Sequence, residues 1–285
     1  MGNSVMRHFK PAHLIGMYPL GMMCLFFLGP LAFMIVVSFY ERDPLGFYNV
    51  AFVWDNYAKF FSSFYYTISM RSIWSSALGA VLVVLLAFPA MFIITDMVRR
   101  WQLFWIILLL SLMCLSEVIL GFAWLILLSE SSGIPKFLGW VGLWDDPRSL
   151  SPSFAAMLIG FITLGFSLVA LMFYPQMAQR DRSIEEAART LGTSPARVFI
   201  KVVLPNYRTA IIGAVVTMFV YFLGVFVMPT MLGRPQDWNM TVIITDKAVG
   251  DANMPLGAAL SVIMLLFTLV IIGALMFGTR KERQS

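Results

Sequence analysis

Six long apolar runs, separated by short polar segments, dominate the chain; they lie at roughly 14–40, 72–95, 102–129, 153–178, 209–232 and 256–278. Each is at or above the roughly 20 residues that a helix needs to cross about 30 Å of hydrocarbon. A bilayer core has no water for unpaired backbone groups, so helices are the natural spanning form. The other spanning form, a β-barrel, leaves short alternating segments, and these runs are continuous. The pattern therefore predicts an all-α polytopic membrane protein with six transmembrane helices in a single domain over 1–285. Arg7 and Lys10 precede the first run as they would in a signal peptide. The run from Leu14 to Tyr40 is nonetheless longer than the roughly 7–15 residues of a signal core, and no small-residue cleavage site closes it. It is expected to be a retained span.

Charge orients the spans. With the N-terminus inside, thirteen of the 20 Lys and Arg residues fall on the inner side and seven on the outer. Excess Lys and Arg mark the cytoplasmic side, so both termini are expected there. Composition agrees with a membrane location: 60% of residues are hydrophobic, 12% are charged, and the mean hydropathy is +0.83. The net charge of +5 then reflects topology. Nucleic-acid binding would require a basic face on a polar domain, and none is present. Cys24 and Cys114 lie within predicted spans and are expected to be buried as small hydrophobic residues. There is no CxxC pair and no zinc-ligand spacing.

The outer loops, about 41–71, 130–152 and 233–255, are too short to be domains of typical size. The inner loop at 179–208 is more informative. Ser183-Ile184-Glu185-Glu186 fits a capping box, with Ser183 accepting from the Glu186 amide. Glu185 and Glu186 suit the positive end of a helix dipole. Ala187, Ala188 and Leu191 continue the helix, and Gly192 can end it in a left-handed conformation. Ser194 and Pro195 then open a second helix as N-cap and first residue. Val198, Phe199, Val202 and Val203 form its apolar side, and Pro205 bends or ends it. A helical hairpin that merely connects two spans would read the same way.

The spelling adds a resemblance. Glu186-Ala187-Ala188, three residues, Gly192, nine residues, Val202, one residue, Leu204-Pro205 resembles the EAA motif of ABC-importer permeases, with Val202 where the family pattern has Ile. The six-span layout, Trp54-Asp55-Asn56-Tyr57 in the first outer loop, and Pro255-Leu256-Gly257-Ala258-Ala259 at the last span resemble permeases of the spermidine/putrescine importer group. This implies a bacterial inner-membrane assembly with a cytoplasmic ABC ATPase dimer, a second, related permease and a periplasmic substrate-binding protein. Glu186, Ala187, Ala188, Gly192, Val202, Leu204 and Pro205 would couple this chain to the ATPase. The solute implied is a polyamine, a related organic cation, an opine or an amino-acid derivative. The chain carries no phosphate-binding GxxxxGK[ST] sequence. It is expected to be a transport subunit and not an enzyme, to bind no cofactor itself, and to leave ATP and Mg to the partner ATPase.

Glu117 is the acidic residue inside the third run. A charge at mid-membrane costs at least about 2.5–3.5 kcal/mol on insertion scales, and such residues face cavities or partners. It either lines a pathway for a cationic solute or joins helices as a hydrogen-bonded or protonated side chain. Trp124, seven residues on, falls on the same helix face and can stack on an organic cation. An ion-gradient-driven transporter with Glu117 as proton site is the alternative, but the EAA-like loop has no purpose there and no inverted repeat is visible. An intramembrane protease lacks its groups, since His8 and His13 are the only histidines and Glu117 has no second intramembrane carboxylate.

Overall fold

The computed structural model describes residues 19–44, 46–144, 148–181, 183–190 and 192–282. In chain order its helices are α1 (Pro19–Val37), α2 (Asp55–Phe60), α3 (Ser63–Asp96), α4 (Arg99–Met113), α5 (Glu117–Leu127), α6 (Ile134–Trp140), α7 (Phe154–Ala178), α8 (Ser183–Thr190), α9 (Pro195–Asn206), α10 (Arg208–Gly224), α11 (Val227–Leu232), α12 (Met240–Thr245) and α13 (Met254–Glu282). Among the described residues the only β-type pairing is an isolated bridge between Glu41 and Asn49. The fold is all-α.

Helices α1, α3 and α7, together with Met254–Ala274 of α13, are long and apolar enough to cross a membrane. Two further spans are present if each bent pair counts as one: α4 with α5, bent by 99°, and α9 with α10, bent by 72°. The run at 102–129 is thus not one continuous helix. It breaks at Cys114–Ser116, and Ser116 takes an extended conformation as the N-cap of α5. The run at 209–232 also breaks, because α10 stops at Gly224 and α11 follows separately. Span two starts at Ser63, within the segment read as outer loop, behind Ser62 in extended conformation. Residues 14–18, with Arg7 and Lys10 before them, lie outside the described residues.

Two compact units emerge. The first comprises Met1–Phe61 with Ile244–Leu265. Within it, buried Asn56 donates to the carbonyls of Ser38 (3.2 Å) and Tyr40 (2.9 Å), holding the chain leaving α1. Phe39 stacks on Phe52 at 5.0 Å and meets Trp54 and Tyr57 at 5.1 Å each. Arg42 donates to the Asp251 carbonyl at 2.7 Å, and Lys247 pairs with the Asp251 carboxylate at 2.6 Å. The hydrogen bond and charge of Lys247 hold that carboxyl below the usual carboxylate range.

The second unit comprises Ser62–Ile243 with Leu266–Ser285, and its centre is the contact of α3, α7 and α10. Small residues let these helices approach. A Cβ at Gly79 would lie 2.9 Å from the Phe161 ring, and one at Gly165 would lie 2.8 Å from Phe222. Phe161 and Phe222 stack at 4.6 Å between them. Close packing of this kind replaces the hydrophobic drive that lipid removes. The α3 face turned inward carries Ser69, Ser72, Ser75 and Ser76, all buried. Large apolar residues such as Leu85, Trp74, Ile107 and Phe122 point outward, as lipid contact requires. Cys24 and Cys114 are exposed too, contrary to the burial expected of them.

Candidate functional site

Breaking the third span changes the setting of Glu117. It is the first residue of α5, at the positive end of an eleven-residue helix, rather than mid-way along a continuous one. It lines a cavity of about 190 Å³ with Met113, Leu115, Thr163, Leu168 and Tyr221. Its Oε1 is buried and makes no hydrogen bond among the described residues. Half-helix ends aimed into a cavity are how transporters place ligand-binding groups at membrane depth. Trp124 does not line this cavity. Its indole donates to Thr163 Oγ1 at 2.9 Å, so it positions the Thr163 that does. Thr163 and Tyr221 escaped the reading of the sequence, since each sits in an unremarkable apolar run.

The loop at 179–208 forms the expected pair of helices. Ser183 lies inside α8, and its amide donates to Asp181 Oδ1 at 2.9 Å. Asp181, two residues earlier, accepts at the first amide of α8, and Ser183 stands as the first residue inside the helix and not as the residue before it. Hydrogen bonds from the Ser183 hydroxyl and amide hold its carboxyl below the usual range. Gly192 has φ of +80°, and the Thr193 amide reaches the Ala188 carbonyl at 3.3 Å, the six-to-one bond of a Schellman close. Ser194 is the N-cap and Pro195 the first residue of α9. A π-turn at Phe199–Val203 precedes Pro205, which has no amide to offer the preceding turn.

The two glutamates divide. Glu185 is buried, whereas Glu186 and Ala187 are exposed, as are Gly192, Leu204 and Pro205. Val202 is half-buried, lining a second cavity of about 210 Å³ with Arg180, Glu185, Asn206 and Tyr207. The loop therefore presents most of its EAA-like residues outward and anchors itself through their neighbours.

Residues 60–279 match the family described as the inner-membrane component of binding-protein-dependent transport systems. The chain belongs to that family. As a member it is a multi-pass inner-membrane permease of an importer that works with a binding protein, and it is a transport component, not an enzyme. Membership of this ABC-importer family sets aside the gradient-driven alternative. The permease is 24% identical over 246 residues to the spermidine/putrescine transport system permease protein PotB of Escherichia coli (strain K12), covering 86% of this chain and 90% of that protein. PotB of Salmonella typhimurium (strain SL1344) matches at 24%, with 86% of each chain covered. The putrescine permease PotI of Escherichia coli (strain K12) is 25% identical over 59% of this chain and 56% of its own length. Among solved structures, a bacterial alginate ABC transporter in complex with an alginate pentasaccharide-bound periplasmic protein superposes with a TM-score of 0.78 at 15% identity, covering 96% of this chain and 95% of that one.

Proposed function

We propose that this permease moves a polyamine-type organic cation into the cytoplasm by ATP-driven alternating access. The fold alone leaves the charge of the solute open, because a structural neighbour is named for alginate, an acidic polysaccharide. The relatives named for spermidine and putrescine favour a cation. The observation that carries the choice is Glu117 Oε1, buried with no hydrogen bond among the described residues at the wall of a cavity inside the membrane-spanning region. A carboxylate there, beside the hydroxyls of Thr163 and Tyr221, suits an ammonium group and disfavours an anion.

The same reading gives the chain its partners. The exposed residues of the 179–208 loop, Glu186, Ala187, Gly192, Leu204 and Pro205, with Val202 behind them, dock on a cytoplasmic ABC ATPase dimer that binds ATP and Mg. A second, related permease completes the pathway, and a periplasmic binding protein delivers the solute. Lys and Arg asymmetry supports cytoplasmic termini.

The test is putrescine uptake by Glu117→Gln, measured against complex yield in the same membranes. The variant keeps shape and hydrogen bonding but removes the charge. Loss of uptake with normal yield is the expected result. Normal uptake, or uptake and yield falling together, would leave Glu117 as a helix-joining residue and overturn the cation reading.

A further inference from the structure

Arg180 lies just past the end of α7, in the stretch that leads to α8, and its side chain is only 4% exposed. A cation so far removed from water needs partners on several sides. Arg180 has them on two elements. Nη1 donates to Thr95 Oγ1 at 2.7 Å, and Nη2 pairs with the Asp96 carboxylate, both at the last turn of α3. Nε lies 3.1 Å from Glu185 Oε1 in the first turn of α8, an ion pair whose angle falls outside that of a hydrogen bond. The guanidinium carbon sits 4.3 Å above the ring centroid of Phe92, one turn back on α3. The chain of contacts continues from there. Gln102 of α4 donates to the carbonyls of Thr95 and Met97 at 2.8 Å each, which fixes the turn between α3 and α4.

We propose that Arg180 is the positioning residue that makes α8 and the inner end of α3 move as one body, so that a push on the EAA-like helix reaches the membrane spans directly. This rests on the docking role proposed above for the 179–208 loop. The sequence connection from α8 to α9 passes through a glycine in left-handed conformation and then a π-turn, both compliant elements. The covalent route onward from α8 to α10 would absorb much of a displacement. Arg180 supplies a second, stiffer route that bypasses it. Its planar fork addresses Thr95 and Asp96 while the same group faces Glu185 and covers Phe92, which a lysine ammonium cannot do at once. The electrostatics work in the same direction. One guanidinium serves both carboxylates, Asp96 of α3 and Glu185 of α8, so its removal takes away the cation they share.

The test separates the tie from the docking. Spin labels at Val98→Cys and Ile184→Cys, both exposed positions on either side of Arg180, are placed in a background lacking Cys24 and Cys114. Distances are measured by pulsed electron resonance in the complete complex with and without ATP and vanadate. The expected parental result is one narrow distance that does not change with nucleotide. The expected result for Arg180→Gln is a broadened distance that does change. Arg180→Gln with Glu185→Gln also neutralises Glu185, so the tie is lost without stranding that buried carboxylate. In that double variant putrescine uptake per ATP hydrolysed should fall about tenfold, within the usual range of coupling free energies, at unchanged recovery of ATPase. Arg180→Lys should lie between. A parental distance that shifts with nucleotide, or an Arg180→Gln distance as narrow as the parent's, overturns the proposal. Parental uptake per ATP in the double variant also overturns it. A parental preparation that recovers no ATPase overturns the docking role instead, and the distance without nucleotide, narrow in the parent and broadened in Arg180→Gln, then still reads the tie.

Discussion

Replacing Gly192 by leucine, alanine and asparagine in parallel separates two reasons for a glycine at the end of α8. The backbone there has φ of +80°, and a Cβ built on it meets nothing within 4 Å. Among the described residues, therefore, backbone conformation and not crowding at the Cβ opposes a side chain. An L-residue in this region costs about 1–2 kcal/mol, with asparagine penalised least. That is a factor of roughly 5–30 in the population of the closed helix end. If the conformation alone matters, alanine and leucine reduce transport alike by about that factor, and asparagine less. If the ATPase also approaches closely, leucine abolishes transport while alanine shows only the conformational loss. We expect the second pattern. The assay is putrescine uptake in proteoliposomes at matched complex yield, with membrane insertion checked by the amount of permease recovered. Gly192→Leu transporting at the parental rate would refute the coupling role of Gly192. Equal losses for alanine and leucine would refute the close approach and leave only the helix stop.

Two further predictions follow from other parts of the fold. Asn239 is 1% exposed, donates to the Val225 carbonyl at 2.7 Å and accepts from the Val242 amide at 3.1 Å. Asn239→Ala should lower the thermal midpoint of the purified complex, since each orphaned buried group costs about 1–3 kcal/mol; an unchanged midpoint would mean the α10–α12 connection is held elsewhere. Single cysteines introduced by Thr193→Cys and Gln236→Cys, in a background lacking Cys24 and Cys114, test the topology. An impermeant reagent on intact spheroplasts should label the second and spare the first, and labelling at Thr193→Cys would invert the assignment.

Much of the architecture was legible because a bilayer imposes it. Continuous apolar runs had to become helices, and α7 and α13 follow them closely, while α3 begins nine residues early at Ser63. The ends of the inner helices were legible for local reasons, Gly192 through its backbone freedom and Pro195 through its fixed φ. Burial was not. The rule that apolar residues go inside inverts in lipid, so Cys24 and Cys114 face outward while Ser69, Ser72 and Ser76 fill the packed face. Small hydroxyl residues let helices approach, and Ser69 and Ser72 satisfy their own hydroxyls on the Tyr65 and Ile68 carbonyls at 2.8 Å each, whereas Ser76 Oγ has no hydrogen bond among the described residues.

The candidate site shows the harder limit. The break that places Glu117 at a helix start occurs at Cys114-Leu115-Ser116, with neither proline nor glycine to announce it. Its only trace is local: Ser116 followed by Glu117 is an N-cap with an acid in the first turn. That trace also reverses the argument from cost. Mid-helix, an acid at membrane depth is a burden to be explained. At the start of a half-helix it meets the positive end of the dipole, and its carboxylate is turned toward a cavity it can serve. Arg180 left no trace at all, because its partner Asp96 lies 84 residues away. Counted as one more inner-side charge, it reads as topology. Only the folded arrangement shows the same residue spent on a contact between two elements that must move together, and in a permease that contact is where work done outside the membrane can enter it.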